Sequence, residues 1–84
     1  MVESLKNDEV KKFVVQINGG QKIIEVVNII VIEASESCSM IICADNQKFI
    51  CRQNLNYFEK LLLKNKNLIR IHKSWIVNTN YLQS

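Results

Sequence analysis

The stretch Ile29-Ile30-Val31-Ile32-Glu33-Ala34 decides the fold class, because five of its six residues are apolar and four of those are β-branched. Branching at Cβ favours extended backbone. A short, nearly continuous apolar run of this kind is the pattern of a strand buried on both faces. The polar residues Ser35-Glu36-Ser37 end the run, and apolar residues resume from Cys38 to Ala44. We therefore predict two core strands, one on each side of a polar loop.

A hairpin is predicted directly after the second of these strands. Asp45-Asn46 has the composition of a turn, and residues 47–52 supply the partner strand. A turn of two residues fixes the register of the pair. It places Ile42 opposite Phe49, and Met40 opposite Cys51.

A hairpin is also predicted near the N-terminus, where strand candidates at residues 13–17 and 21–26 flank Asn18-Gly19-Gly20. Asn-Gly is the strongest short hairpin signal, because both residues tolerate positive φ. Residues 1–12 are charged and aperiodic, so we predict a start or linker there and one domain over residues 13–84.

One segment has helical periodicity, and Asn54 is a suitable N-cap for it. Apolar residues recur behind this cap at helical spacing: Leu55, Phe58, Leu61 and Leu62. Asn65-Lys66-Asn67 ends the segment, and short strand candidates follow at residues 68–71 and 75–77. The predicted fold is therefore mainly β, with small antiparallel sheets and hairpins and one short α-helix.

The composition excludes several classes of protein. The chain has 84 residues, 48% of them hydrophobic and 23% charged, which suits one packed domain and not a disordered segment. No apolar run is long enough to cross a bilayer and no secretory signal opens the sequence, so we expect a cytoplasmic protein without a membrane partner. Cys38, Cys43 and Cys51 lack the spacing of a zinc site or a disulfide framework, so we expect reduced thiols in strands. No cofactor is expected.

Charge divides unevenly between the two halves of the chain. Residues 1–45 carry four lysines and seven acidic residues, a net charge of −3. Residues 46–84 carry seven basic residues and one acidic residue, Glu59, a net charge of +6. A basic half suits phosphate binding, because each phosphate that is neutralised releases counterions. The skew favours nucleic acid as a partner.

No combination of residues indicates catalysis. Gly19-Gly20 lies outside any phosphate-binding glycine motif. Ser74 follows His72 by two residues, but no acidic residue follows to orient the imidazole. Glu33 and Glu36 are expected to be a solvated pair and not a catalytic pair of carboxylates. We therefore predict a protein that is not an enzyme and has no small-molecule substrate.

The remaining polar cluster is RIHKSWIVN, residues 70–78. One interpretation is an amphipathic β segment with a charged turn in solvent. The other is a loop that presents basic side chains to DNA, with Arg70 and Lys73 on phosphates or on guanine O6 and N7. We expect Trp75 in the core, because aliphatic residues surround it in sequence.

The longer segment LIRIHKSWIVN, residues 68–78, resembles the signature of LytTR domains, which are DNA-binding domains of bacterial response regulators. That signature runs approximately aromatic-x-Arg-x-His-basic-Ser-aromatic-aliphatic-Val-Asn. VIEA at residues 31–34 looks like the strand before the family's first recognition loop, and NLNYFEKL at residues 54–61 looks like its helix. The resemblance covers about residues 13–84.

The resemblance implies a sequence-specific transcription regulator domain. In this family, loops enter successive major grooves of direct repeats in promoter DNA, and a phosphorylatable receiver domain of a two-component system commonly precedes the domain. The DNA contacts would come from two elements: Ser35, Ser37 and Ser39 in the first loop, and Arg70, His72, Lys73 and Ser74 in the second. Lys73 is expected nearest the base edges, with Arg70 and His72 on the DNA backbone or bracing the loop.

The family pattern continues past the position of Leu82, so we expect a domain that is short at its C-terminus, with an exposed sheet edge. Such an edge predicts a homodimer or a strand-swapped dimer. A second function class follows from this expectation: a truncated protein–protein interaction or dimerisation module that does not bind DNA.

A third class is a single-stranded RNA binder, which needs exposed aromatic residues on a strand face. The expected core positions of Phe13, Phe49, Phe58 and Trp75 count against this class.

Overall fold

In the computed structural model, which describes residues 9–82, seven strands form two antiparallel sheets and one α-helix packs beside them. The strands are β1 Lys12–Ile17, β2 Gly20–Glu25, β3 Ile29–Ser35, β4 Cys38–Cys43, β5 Lys48–Cys51, β6 Leu68–His72 and β7 Trp75–Asn78. The helix α1 is Leu55–Leu61, and single turns of 3₁₀ helix lie at Val26–Asn28 and Thr79–Tyr81. The predicted mainly β fold with one short helix is confirmed.

The first hairpin forms a two-stranded sheet of β1 and β2. Ile17 pairs with Gly20, which leaves Asn18 and Gly19 as the two central residues of the turn. Gly19 has a φ of 95°, a value that residues with a Cβ rarely adopt. The predicted Asn-Gly hairpin is confirmed, with positive φ at the second central residue and not at Asn18.

The other five strands form one sheet in the order β5-β4-β3-β7-β6, so the strand that the apolar run predicts lies at its centre. Ile32 pairs with Ile41 on one side and with Ile76 on the other, and all three side chains are buried. Helix α1 and the first hairpin cover this face together, and the rings of Phe13 and Phe58 meet there with centroids 5.7 Å apart. The buried apolar residues form one cluster: Val15, Ile24, Val26, Ile29, Ile32, Ile41, Cys43, Cys51, Leu55, Phe58, Leu62, Leu68 and Ile76.

The opposite face of the five-stranded sheet is only partly buried. Successive side chains of a strand point to opposite faces, so Val31, Ile42 and Val77 share this second face. All three have intermediate exposure, because α1 and the first hairpin both pack on the Ile32 face. The prediction that β3 is buried on both faces is therefore wrong for the residues that the structure describes.

The register of the β4–β5 hairpin differs from the prediction by one residue. Ile41 pairs with Phe49, and Met40 pairs with Ile50. The connection has three central residues, because the Cys43 N–H donates to the Gln47 carbonyl at 2.8 Å and Asn46 has a φ of 68°. Asparagine tolerates the left-handed conformation that such a turn requires. A third loop residue shifts every pair of the ladder by one position and exchanges the faces of one strand.

Helix α1 begins where its cap predicts. The Asn54 side chain accepts a hydrogen bond from the Tyr57 N–H at 3.0 Å and satisfies one of the free donors of the first turn. Leu55, Phe58 and Leu62 are buried, as their spacing predicts. The helix therefore presents its opposite, polar side to solvent.

The predicted N-terminal linker, residues 1–12, lies mostly outside the described residues. Within the part that is described, Val10 packs against the core. Its N–H donates to Asn65 Oδ1 and its carbonyl accepts from Asn65 Nδ2, both at 2.9 Å. The chain is therefore attached to the folded unit before β1 begins at Lys12.

All three cysteines are free thiols in strands, as predicted. Cys43 and Cys51 are buried, and Cys38 is partly exposed. Burial raises the pKa of the Cys51 thiol to about 11. It also raises the pKa of the Cys43 thiol, an effect to which the neighbouring carboxylate of Asp45 adds.

Candidate nucleic-acid interface

The turn between β6 and β7 lies within the basic half of the chain, residues 46–84. His72 pairs with Trp75, so Lys73 and Ser74 are the two central residues of a hairpin turn. The Ser74 N–H donates to His72 Nδ1 at 3.1 Å, which leaves Nε2 to carry the ring proton of the neutral imidazole. The Ser74 carbonyl accepts from the Ala34 N–H at 2.8 Å. The turn is therefore attached both to itself and to β3.

Arg70 connects this turn to helix α1. Its Nε donates to the His72 carbonyl at 3.2 Å, and one terminal nitrogen donates to the Lys73 carbonyl at 2.6 Å. The other terminal nitrogen donates to Asn56 Oδ1 at 2.6 Å and to Glu59 Oε1 at 2.8 Å. The guanidinium therefore points towards the helix, and its donors bind protein acceptors.

Lys73 is the exposed cation at the tip of the turn. Its carbonyl accepts from Arg70, whereas its ammonium group has no ion-pair or hydrogen-bond partner within residues 9–82. An ammonium held on a fixed backbone and free at its tip suits a phosphate oxygen or a guanine edge.

The turn between β3 and β4 carries the other predicted site residues. Ser35 pairs with Cys38, which makes Glu36 and Ser37 the central residues of a second two-residue turn. Glu36 has a φ of 57°, an uncommon conformation for a residue with a side chain. Ser35 and Ser37 are exposed, so their hydroxyl groups are accessible to a partner.

Ser39 does not belong to this surface. It lies on the buried face of β4, where it pairs with Cys51, and it is 0% exposed. Its hydroxyl has no hydrogen-bond partner among the described residues. The prediction that Ser39 contacts DNA is therefore wrong, because strand alternation turns its side chain into the core while its neighbours face outwards.

The two turns lie at the same end of the five-stranded sheet. Strand β3 runs towards its turn at Glu36, and the antiparallel strand β7 begins beside it, with Glu33 opposite Trp75. The hydrogen bond from Ala34 N–H to the Ser74 carbonyl joins the second turn to β3, two residues before the first turn. The fold therefore brings site residues of both sequence segments to one end of the sheet: the exposed Ser35, Ser37, His72 and Lys73, and the partly exposed Ser74.

Three residues at this end were absent from the sequence prediction. Arg52 is exposed and directly follows the last residue of β5, Cys51. Cys51 pairs with Ser39 near the start of β4, beside the β3–β4 turn, so Arg52 lies at the same end of the sheet as the two turns. The hairpin topology is the signal that could have located it, because a hairpin returns the end of β5 to the start of β4. Asn56 and Glu59 were missed because their role depends on how α1 packs beside β6, and sequence spacing does not give that packing.

Trp75 departs from its predicted core position, with 44% of its surface exposed. It lies on the partly buried face of the sheet, and its ring is tilted against that of His72 with centroids 5.2 Å apart. The prediction placed Trp75 in the core because its neighbours in sequence are aliphatic. Adjacent residues of a strand point to opposite faces, however, and it is Ile76 that points to the buried face.

Residues 9–82 contain neither a metal-binding cluster nor a membrane-spanning helix. No group of three or more His, Cys, Asp or Glu side chains is placed to hold a metal ion among residues 9–82. No helix in the same part of the chain is long and apolar enough to cross a membrane.

Comparison with known proteins adds a family to this geometry. The model of the family described as "LytTr DNA-binding domain" matches residues 19–84. A solved structure, the "LytTr DNA-binding domain of putative methyl-accepting/DNA response regulator from Bacillus cereus", has the same fold with a TM-score of 0.72 and 23% sequence identity. The match covers 89% of this chain and 67% of that chain. Comparison with curated protein sequences gives no significant match.

Proposed function

The chain belongs to the LytTr DNA-binding domain family, which is not a family of enzymes, and we propose that it is a transcription regulator domain that binds promoter DNA. In this proposal the two turns at one end of the sheet enter successive major grooves of a direct repeat in double-stranded DNA. The observation that carries it is the position of Lys73, which is exposed at the tip of a turn whose backbone is held on three sides.

The proposed contacts follow from exposure and hydrogen-bonding capacity. Lys73 lies nearest the base edges, where an ammonium donates to guanine O6 and N7. Ser35, Ser37 and His72 Nε2 supply hydrogen bonds to phosphates or bases, and Ser74 lies beside them in the turn. Arg52 adds a phosphate contact at the same end.

Fluorescence anisotropy with a labelled duplex that carries two direct repeats tests the proposal. Lys73→Glu should lower the affinity about tenfold or more, because it removes a base contact and repels phosphates. Because the lost contact is to a base edge, it should also relax the preference for guanine at the contacted position. Lys66→Glu is the matched control, because Lys66 is exposed before β6, at the other end of that strand. Equal losses in the two variants would indicate general charge attraction and would reject the turn as the contact.

The direct repeat itself needs a separate measurement. Inserting about five base pairs between the repeats rotates one site by half a helical turn relative to the other. Two domains that bind one face of the DNA should then lose their joint binding. A folded chain that fails to bind any of these duplexes at low salt would contradict DNA binding altogether.

A protein–protein module is the second candidate function, and strand β6 favours it. This strand lies at the edge of the five-stranded sheet and carries the exposed residues Ile69 and Ile71. The usual protection of an edge is a lysine or a proline, whereas the arginine of β6 is folded back onto Glu59. A second copy that adds its own β6 would give a homodimer with a continuous sheet, and exchange of the strand would give a swapped dimer. Sedimentation equilibrium at tens of micromolar decides this, and a monomeric mass would count against dimerisation.

We also propose a bacterial, cytoplasmic, two-component setting, in which a receiver domain controls the DNA-binding domain. The support is the described role of the structural neighbour as part of a putative response regulator. Fractionation of cells that express the tagged gene product checks the location, and recovery with the membranes would contradict it.

A further inference from the structure

Arg70 makes an unusual number of contacts for a partly exposed side chain. A guanidinium has five N–H donors, and four hydrogen bonds of Arg70 reach four different acceptors. Two of the acceptors are the backbone carbonyls of His72 and Lys73 in the turn. The other two are side-chain oxygens of helix α1, on Asn56 and Glu59. One side chain therefore bonds to both the helix and the turn.

The two acceptors on the helix are suited to hold this guanidinium. Asn56 and Glu59 are three residues apart, so they project from the same side of α1. Glu59 is the one acidic residue among positions 46–84, which otherwise carry seven basic residues. Its carboxylate lies 2.8 Å from the guanidinium, with side-chain exposures of 21% for Arg70 and 46% for Glu59. This negative charge lies in the half of the chain that phosphate binding would keep positive.

The backbone of β6 is irregular where the guanidinium binds it. The pairing with β7 shifts between Arg70 and His72, so the regular ladder does not fix the residues that lead into the turn. The bonds from Arg70 to the carbonyls of His72 and Lys73 replace part of that constraint.

We propose that Asn56 and Glu59 act through Arg70 as positioning residues for the DNA-contacting turn, a role that rests on the DNA binding proposed above. Arg70 holds the backbone of Lys73 and does not itself contact DNA. Helix α1 fixes the guanidinium, the guanidinium fixes the turn, and the turn presents the Lys73 ammonium in one orientation. A preorganised donor loses less conformational entropy on binding than a mobile one.

Neutralising Glu59 separates this role from simple electrostatics, because the two predict opposite signs. If Glu59 acts only as a charge, Glu59→Gln removes repulsion from the phosphates and tightens binding. If Glu59 positions the turn, Glu59→Gln weakens binding by about two- to fivefold, which is the worth of a partly exposed ion pair. Glu25→Gln is the matched control, because it makes the same chemical change at an exposed position on β2.

A second measurement needs no DNA. The Ser74 amide is bonded to His72 Nδ1, so its hydrogen-exchange protection and its ¹⁵N relaxation report the order of the turn in the free protein. We expect Glu59→Gln, Asn56→Ala and Arg70→Lys each to lower this order while the β3–β4 core keeps its protection. Lysine retains the charge of Arg70 but lacks the planar fork that reaches both sides.

The outcomes separate this inference from the proposed function. Unchanged order at Ser74 in all three variants, or tighter DNA binding by Glu59→Gln, would overturn the positioning role. Retention of full affinity by Arg70→Lys, with a loss in Arg70→Ala, would show a direct phosphate contact instead. If the native chain binds no DNA, the DNA-binding proposal fails, and the exchange measurement alone still decides whether α1 orders the turn.

Discussion

Replacing Asn78 by alanine tests how the end of β7 is held against the centre of the sheet. Asn78 is only 2% exposed although it is polar. Its Nδ2 donates to the Ile29 carbonyl at 2.8 Å, and its Oδ1 accepts from the Asn80 N–H at 3.0 Å. The side chain therefore connects the start of β3 to the 3₁₀ turn that follows β7.

The expected loss follows from these two bonds. Each hydrogen bond contributes about 0.5–1.5 kcal/mol net, and a buried carbonyl left without a partner costs about 1–3 kcal/mol. Asn78→Ala breaks both bonds and leaves the Ile29 carbonyl without its side-chain donor, so we expect a loss of about 2–4 kcal/mol. A chain of 84 residues has a total stability of about 4–12 kcal/mol. The midpoint of thermal unfolding should accordingly fall by about 10–25 °C.

Urea unfolding followed by circular dichroism measures this loss, and Asn80→Ala supplies the control. Asn80 is exposed and contributes its backbone N–H, not its side chain, to the same turn, so its replacement should change stability by less than about 0.5 kcal/mol. An Asn78→Ala variant as stable as the native chain would refute the reasoning. A variant that kept full stability but lost DNA affinity would show that Asn78 is a contact residue and not a structural one.

Three further predictions concern the core and the first hairpin. Ser39→Ala should raise the free energy of unfolding by up to about 1 kcal/mol and leave DNA affinity unchanged, because it removes a buried hydroxyl that has no partner among the described residues. A loss of either stability or DNA affinity would contradict this prediction. Burial raises the pKa of Cys51 to about 11 from 9.0 and also raises that of Cys43, so the partly exposed Cys38 should react with a thiol reagent at pH 8 well before the other two. The free energy of unfolding should fall as the pH rises from about 9 towards 11, because in that range the Cys51 thiol ionises only in the unfolded chain. Equal labelling rates of the three thiols in the native protein would contradict their difference in burial. Gly19→Ala should cost about 1 kcal/mol in thermal unfolding, because the φ of 95° strains any residue with a Cβ even in open space; an unchanged midpoint would mean that the turn adopts another conformation.

The elements that the sequence predicted correctly are those set by neighbouring residues. Asn18-Gly19 makes a turn because glycine tolerates positive φ, and Asn54 starts α1 because its side chain reaches the N–H three residues later. The apolar run at residues 29–34 forms a strand because its side chains are β-branched. Each of these causes lies within a few positions of its effect.

The errors arose where the outcome depends on one loop residue or on a distant element. Asn46 in the left-handed conformation adds a third residue to the β4–β5 turn, and this single change shifts the register of the hairpin. Burial of β3 on its second face requires another element to pack there, and the sequence near that strand does not determine whether one does. The exposure of Trp75 has the same cause, because within residues 9–82 the helix and the first hairpin pack on the other face.

The segment 68–78 carried the family resemblance, yet its members divide into two physical roles. Arg70 and Asn78 use their polar groups on other parts of the same chain, in bonds that hold the turn and the end of β7. Lys73 alone among the polar residues of the turn tip keeps a charged group free within residues 9–82. Under the positioning role proposed above, the motif mainly specifies the framework that holds the Lys73 turn, and few of its residues would touch DNA. Substitutions at the free position should therefore change which sequence is bound, whereas substitutions at the framework positions should weaken binding to every sequence together with the order of the turn.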